Sequence, residues 1–133
     1  QVRQSVSGYK HQGLAAEVAR LLSRLRDAGF HAVLQGDMPQ LDARRETALI
    51  LALTELVTNV IRHSKGDSCS LSFLQQGDEF TVCLSDNGQT SDIKEGNGIS
   101  GLRQRLAAIG GTLAMQQHDG VTARIQFPLQ EHA

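Results

Sequence analysis

Apolar residues recur every three or four positions in three segments of the chain, the spacing that places them on one face of a helix. This pattern predicts helices over about 14–28, 43–64 and 102–109. Gly29 follows the first segment and Gly110 the third, and glycine commonly ends a helix at such a position. Each predicted helix therefore has one apolar face that must pack against another element.

Shorter apolar segments bounded by Gly, Pro, Asp or Asn are typical of strands. They are 30–34, 68–74, 79–85, 112–117 and 121–127. Short polar turns join the second to the third and the fourth to the fifth, which predicts two hairpins. We expect a mixed, largely antiparallel sheet covered on one face by three helices. The predicted fold class is α/β, a two-layer α/β sandwich.

Composition narrows the classes of function. The chain has 133 residues, the length of one domain. Aromatic residues make up 4% and the formal net charge is −1, so neither base stacking nor bulk positive charge favours a nucleic-acid partner. No apolar run has the length of a membrane span. The first residue is Gln1 rather than Met, so we expect a fragment whose parent could have such a span. Cys69 and Cys83 have no metal-ligand spacing and are predicted to be two buried thiols.

The second predicted helix carries an unusual set of polar residues. Glu55, Asn59 and His63 are spaced four apart, so they stack along one face. A carboxylate, an amide and an imidazole on such an apolar helix form either a water-facing edge or part of a ligand site. The helix alone leaves both interpretations open.

Glycines precede the third predicted helix. Gly96, Gly98 and Gly101 satisfy the G-x-G-x-x-G pattern of dinucleotide-binding folds. The context argues against that fold, because no buried strand directly precedes the first glycine and the chain is too short for a doubly wound sheet. Glycines before a helix N-terminus leave room, and free N–H groups, for an anion. The polar loop that precedes them is either a plain surface loop or a lid that closes over a ligand.

Asp86-Asn87-Gly88 follows an apolar strand. Such a sequence often forms only a turn. An aspartate at the end of a buried strand also accepts a hydrogen bond from an amine in an adjacent pocket, and Gly88 would leave room for a flat ring. Thr122, near the start of the last strand, has a hydroxyl that would reach the same pocket, unless it is an ordinary strand threonine.

In this order, the motifs resemble the ATP-binding domain of bacterial sensor histidine kinases of the NarX/DesK type. Residues 54–64 resemble the N box, 86–88 the first glycine box, 96–105 the second, and 120–122 the final Gly-Thr block. The likeness spans about 12–129. It implies the Bergerat-type ATP-binding fold of the GHKL superfamily, which also contains gyrase B and MutL.

The resemblance implies a role for each matched residue. Asn59 would bind Mg²⁺, and Asp86 would recognise the adenine amine. Glu55 would be the catalytic residue, positioning or polarising a water near the metal. The other residues implied to bind ATP are Arg62, His63, Gly88, Gly96, Gly98, Ile99, Gly101, Leu102 and Thr122. One amide suits Mg²⁺, which keeps most of its waters. A buried carboxylate that faces an amine discriminates strongly against a carbonyl at the same place.

The resemblance also implies a domain division and partners. Residues 1–11 would be the tail of a helical dimerisation and phosphoacceptor domain, and 12–133 the catalytic domain, which uses ATP and Mg²⁺. The partners would be that helical domain and a response regulator, in the cytoplasmic part of a membrane-anchored sensor. We expect the acceptor histidine outside this chain. His11 precedes Gln12-Gly13, a poor helical context. His31 lies in a predicted strand, His118 in a tight turn and His132 in the C-terminal tail, so all four are interpreted as exposed or structural histidines.

Two departures from the family pattern are mild: Ile99 stands where leucine is usual, and Gln104 where glutamate is common. Three other functions remain compatible with the same fold. One is an anti-sigma-factor type serine kinase, and another is a non-catalytic nucleotide-sensing module. The third is an ATPase of the gyrase or MutL kind, which would need Glu55 as a general base.

Overall fold

The computed structural model describes residues 2–88, 97–117 and 119–129, with side chains for 13–88, 98–117 and 119–129. The elements in these ranges are α1 (Val2–Asp27), β1 (His31–Gln35), α2 (Ala43–His63), β2 (Ser68–Gln76), β3 (Glu79–Asp86), α3 (Asn97–Ala107), β4 (Thr112–Gln117) and β5 (Val121–Pro128). Their order is the predicted one, and the predicted α/β fold class is confirmed.

The five strands of the described ranges form one sheet in the order β1-β2-β3-β5-β4. β1 runs parallel to β2 and the other neighbours are antiparallel, as predicted for a mixed, largely antiparallel sheet. Side chains alternate between the two faces of a strand. On β3, Phe80, Val82 and Leu84 are buried, whereas the residues between them are partly exposed. We call the buried face, which the helices cover, the inner face, and the opposite one the outer face.

α2 spans nearly the predicted range, and both of its ends are capped. Asp42 Oδ1 accepts a hydrogen bond from the backbone N–H of Arg45 at 2.8 Å, which satisfies one of the free donors of the first turn. Ser64 is the C-terminal cap. The buried Arg45 side chain donates through Nε to the Pro128 carbonyl at 2.8 Å. The start of α2 is thereby attached to the end of β5.

α1 is longer than the apolar pattern predicts. It begins at Val2, so the predicted poor helical context of His11 is wrong. Glycine inside a helix costs only about 1 kcal/mol relative to alanine. Gly13 also allows close packing, since a Cβ there would lie 2.4 Å from Oε1 of Glu46 on α2. The predicted apolar face is confirmed: its buried residues are Leu14, Val18, Leu21, Leu22 and Leu25.

α3 also begins earlier than predicted. Its first residue is Asn97, so Gly98 and Gly101 lie inside the helix rather than before it. The buried residues Ile99 and Leu102 belong to the same core face. Most helical stability in proteins comes from packing of such a face, which here outweighs the low helix propensity of two glycines.

The expectation of two buried thiols is correct for Cys69 and wrong for Cys83. Cys69 is buried on the inner face, where it lies opposite Asp86 in the register of β2 and β3. Cys83 is only partly buried, and it lies on the outer face opposite Ser72. No helix in the described ranges is long and apolar enough to cross a membrane.

At each edge of the sheet, an arginine from a helix binds a backbone carbonyl. On β1, Arg26 Nη2 donates to the Ala32 carbonyl at 2.9 Å. The His31 N–H donates to the carbonyl of Asp67, which directly precedes β2. Backbone groups of successive strand residues point to opposite sides, so those of Ala32 point to the open edge. On β4, Arg103 Nη1 donates to the Leu113 carbonyl. Unpaired edge groups are a template for adding strands, and these arginines occupy one such group on each edge strand.

Leu71 and Leu74 offer a matched test of the one-faced core. Leu71 is 1% exposed and Leu74 is 53% exposed, although both lie on β2. Leu71→Ala should lower the free energy of unfolding by about 2–5 kcal/mol, because burial is lost and a cavity remains. Leu74→Ala should lower it by less than about 1 kcal/mol. Urea unfolding followed by circular dichroism measures both, and equal losses would contradict a sheet with one covered face.

Candidate functional site

Asp86 is the last residue of β3 and lies on the inner face, where it is 7% exposed. Its Oδ1 accepts two hydrogen bonds, from Ser64 Oγ at 2.9 Å and from the Gly88 backbone N–H at 2.8 Å. Within the described ranges, no residue donates a hydrogen bond to the other carboxylate oxygen, Oδ2. A buried carboxylate is therefore held by one oxygen, and the second is left for another donor.

The backbone around Asp86 is packed too closely for side chains. A Cβ on Gly88 would lie 2.6 Å from the backbone nitrogen of Gly66. A Cβ on Gly120 would lie 1.9 Å from the Asp86 carbonyl oxygen, and Gly120 also has a φ of 130°, which favours glycine. The room predicted beside Gly88 for a flat ring is filled on the Cβ side by the segment after α2, and this close approach is what requires glycine here.

Asn87 fixes this approach from the other side. Its side-chain oxygen accepts hydrogen bonds from the backbone N–H groups of Asp67 and Ser68, each at 3.0 Å. Its amide nitrogen donates to the Asp67 carboxylate at 2.9 Å. Asn87 is thus a structural residue that holds the end of β3 against the start of β2.

The polar residues Glu55 and Asn59 lie on α2, before its C-terminal cap Ser64. Asn59 is half-buried, and its side chain makes no hydrogen bond to the rest of the described chain. The Glu55 carboxylate lies against the start of α3, since a Cβ on Gly98 would be 2.2 Å from its Oε2. Negative charge is favourable at a helix N-terminus. A cavity of about 270 Å³ opens here between α2 and α3, lined by Leu51, Thr54, Glu55, Gly98, Gly101, Leu102 and Arg105.

The remaining predicted residues lie in different surroundings. Arg62 and His63 are exposed in the last turn of α2, where positive charge complements the helix dipole. Ile99 is 3% exposed within the hydrophobic core, so its side chain packs against apolar neighbours. Leu102 is buried as well, yet it lines the cavity. Gly96 lies outside the described residues.

Thr122 does not lie on the same face of the sheet as Asp86. Its hydroxyl lies 2.9 Å from Ser85 Oγ, and both residues are on the outer face. Asp86 pairs instead with Val121 across β3 and β5. Because successive residues of a strand face opposite sides, the side chain one position along the strand lies on the other face of the sheet. The expectation that Thr122 lies near the same pocket is therefore wrong.

Ser64 is a functional candidate to which the resemblance gives no role, although it is the last residue of the stretch that resembles the N box. It caps α2, and its hydroxyl joins the helix to Asp86. A serine after a helix is ordinary in sequence, and only the packing of α2 against β3 brings the two side chains together. Among the described residues, no group of three or more His, Cys, Asp or Glu side chains is arranged to hold a metal ion.

No protein-family model matches the chain. Two curated relatives from Bacillus subtilis (strain 168) are similar over nearly its whole length. The sensor histidine kinase YvfT is 27% identical over 137 residues, covering 100% of this chain and 37% of that protein. The sensor histidine kinase DesK is 26% identical over 134 residues, covering 96% of this chain and 36% of that protein. The chain thus spans little more than a third of the length of these relatives.

Solved structures share the fold. The histidine kinase domain of the Erythrobacter litoralis EL346 blue-light activated histidine kinase has a TM-score of 0.75 at 20% identity, covering 88% of this chain and 61% of that one. The catalytic domain of the histidine kinase ThkA has a TM-score of 0.72 at 15% identity, covering 90% and 91%. The fold is that of histidine kinase catalytic domains. The similarity to the curated relatives shows that the chain is a homologue of sensor histidine kinases of the NarX/DesK type.

Gly88 and Gly101 give opposite expectations for the same change to alanine. At Gly88 the new methyl group would collide with backbone atoms, so Gly88→Ala should lower the free energy of unfolding by about 1–3 kcal/mol. At Gly101 nothing lies within 4 Å of the new Cβ, so the change should raise it by about 0.5–1 kcal/mol through helix propensity. Thermal and urea unfolding measure both, and a tolerated Gly88→Ala would contradict the close approach of the two backbones.

The two thiols should differ in reactivity. Burial first, and then the charge of Asp86, raise the pKa of Cys69 to about 12. Because the thiolate is the reactive form, Cys69 should be inert toward Ellman's reagent at about pH 8, whereas Cys83 reacts. Cys83→Ser should therefore abolish the signal from the native protein, and Cys69→Ser should leave it unchanged. The opposite pattern would contradict the assignment of Cys69 to the inner face.

Proposed function

We propose that this chain is the ATP-binding catalytic domain of a sensor histidine kinase. It would bind ATP with Mg²⁺ and present the γ-phosphate to a histidine on a separate helical domain. The observation that carries the proposal is the buried Asp86 carboxylate, held through Oδ1 at the end of β3. Homology to sensor histidine kinases supports the same function.

The adenine end of the proposed site is at Asp86. A carboxylate with one oxygen occupied and one without a donor is suited to accept a hydrogen bond from an exocyclic amine. Guanine has a carbonyl at the equivalent position, which would leave a buried charge unpaired and cost several kcal/mol, roughly 3–5 by analogy with buried ion pairs. Gly88, two residues after Asp86, would flank the base.

The metal and phosphate end is on α2 and at the start of α3. Ser64 lies nine positions after Glu55, which corresponds to roughly 14 Å of helix, so α2 and its cap reach from this end to Asp86. Asn59 would supply one oxygen to Mg²⁺, which prefers to keep its waters and the phosphate oxygens as its other ligands. Gly98 and the free N–H groups of the first turn of α3 suit the phosphates. Glu55 would orient a water beside the metal.

Mg²⁺ would neutralise the charge that develops on the transferred phosphoryl group. In such transfers the protein contributes positioning and electrostatics more than covalent chemistry. Here the rigid α2 and the N-terminus of α3 would hold the nucleotide in place. The base that activates the acceptor imidazole would lie beside it on the partner domain. We therefore expect the isolated chain to bind nucleotide without phosphorylating itself.

The domain division remains part of the proposal. The predicted boundary after residue 11 falls within the continuous helix α1, so we propose that α1 is shared between the helical domain and the catalytic domain. The proposed partners are this helical domain, which carries the acceptor, and a response regulator that receives the phosphoryl group. The proposed setting is the cytoplasmic part of the parent sensor.

Calorimetric titration with ATP and GTP, with and without Mg²⁺, tests the site. The native chain should bind ATP at least about tenfold more tightly than GTP. Asp86→Asn should remove most of that preference, because the amide would no longer present a charged acceptor. Asn59→Ala should retain the preference but lose the strengthening by Mg²⁺. Equal binding of both nucleotides by the native chain would overturn the adenine assignment.

Phosphotransfer assays separate the proposed kinase from its alternatives. With labelled ATP and the helical domain of the parent protein, acid-labile label should appear on that domain. Label on a protein serine would favour the serine kinase, and binding without transfer would favour a nucleotide sensor. Steady hydrolysis that is lost in Glu55→Ala would favour an ATPase. Stable label at a histidine of the isolated chain would contradict the division of labour between the domains.

A further inference from the structure

Ser64 joins the helix that carries the proposed metal site to the carboxylate of the proposed adenine site. Its backbone N–H donates to the Val60 carbonyl at 2.9 Å, which closes the last turn of α2. Its hydroxyl donates to Asp86 Oδ1 at 2.9 Å. One residue thereby ends α2 and contacts the strand-end aspartate.

Two donors meet at the same oxygen of Asp86. The Gly88 N–H approaches Oδ1 at 2.8 Å, in addition to the Ser64 hydroxyl. Hydrogen bonds to a charged group are short and strong, and two of them on one oxygen fix the rotation of the carboxylate. The other oxygen, Oδ2, is then held in one orientation, without a donor from the described residues.

We propose that Ser64 is a positioning residue for base recognition. Its hydroxyl holds the Asp86 carboxylate so that Oδ2 accepts the exocyclic amine of adenine. This inference rests on the proposed nucleotide-binding function and adds a residue that acts through Asp86 rather than by touching the base. Because α2 also carries Asn59, the same hydrogen bond keeps the base end and the metal end of the site at a fixed separation.

A simpler role for Ser64 would be that of a helix cap alone. The Ser64 hydroxyl also accepts a hydrogen bond from the Gly66 N–H at 3.1 Å, so its removal affects the turn after α2 as well. A role confined to the cap would weaken the binding of every nucleotide to the same extent. A positioning role would weaken the nucleotides that carry the amine and spare those that do not.

The test compares ADP with inosine diphosphate, in which a carbonyl replaces the amine of adenine. Calorimetric titration gives the dissociation constant of inosine diphosphate divided by that of ADP, for the native chain and for Ser64→Ala. We expect the substitution to lower this ratio about tenfold, the effect of losing one hydrogen bond to a charged group. The change should come mainly from weaker binding of ADP.

Ser85→Ala is the matched control. It removes a hydroxyl from the residue next to Asp86, where the hydroxyl bonds Thr122 on the outer face, so the ratio should remain that of the native chain. A drop in the ratio for Ser64→Ala alone supports the inference. An unchanged ratio for Ser64→Ala, with both nucleotides bound more weakly, would reduce Ser64 to a cap and overturn it.

The same titration separates this inference from the function on which it rests. If the native chain binds neither nucleotide, or binds both equally, the proposed function fails. If the native chain discriminates and Asp86→Asn does not, the adenine site stands. The result for Ser64→Ala then decides the positioning role by itself.

Discussion

The segment after α2 and the segment after β3 approach so closely that neither Gly66 nor Gly88 has room for a Cβ atom. A Cβ on Gly66 would lie 2.5 Å from the backbone nitrogen of Gly88. Next to this contact, the buried charge of Asp86 is offset by two hydrogen bonds, without which its desolvation would be costly. The contact fixes how far α2 extends across the sheet, and so sets the positions of Asn59 and Glu55.

The opposite end of α2 is held by different chemistry. Asp42 caps the first turn and pairs with Arg45, with Nη1 and Oδ2 at 2.6 Å, and Arg45 also holds the Pro128 carbonyl. The helix is therefore attached to the sheet at both ends, while its apolar face fills the space between. A site on such a helix has its polar groups at set distances before any ligand arrives, which lowers the cost of binding.

Sequence patterns predict the periodic features of this chain and miss those that depend on packing. The apolar face of α2 is clear because it repeats along the whole helix. The early start of α3 is hidden by its glycines, whose low propensity is outweighed by a buried face. Thr122 is misplaced because the face of a strand residue depends on register, which one sequence does not reveal. The Ser64 contact joins residues 22 apart and has no local signature.

The arginines at the two edges of the sheet have a consequence for assembly. In its relatives, a stretch of this length is about a third of a longer protein, so neighbouring modules are present at high local concentration. Open strand edges would then invite exchange of strands between copies. Arg26 and Arg103 each occupy a carbonyl at one edge. Addition of a strand is therefore disfavoured at both edges of the sheet, and the outer face is left without such a device among the described residues.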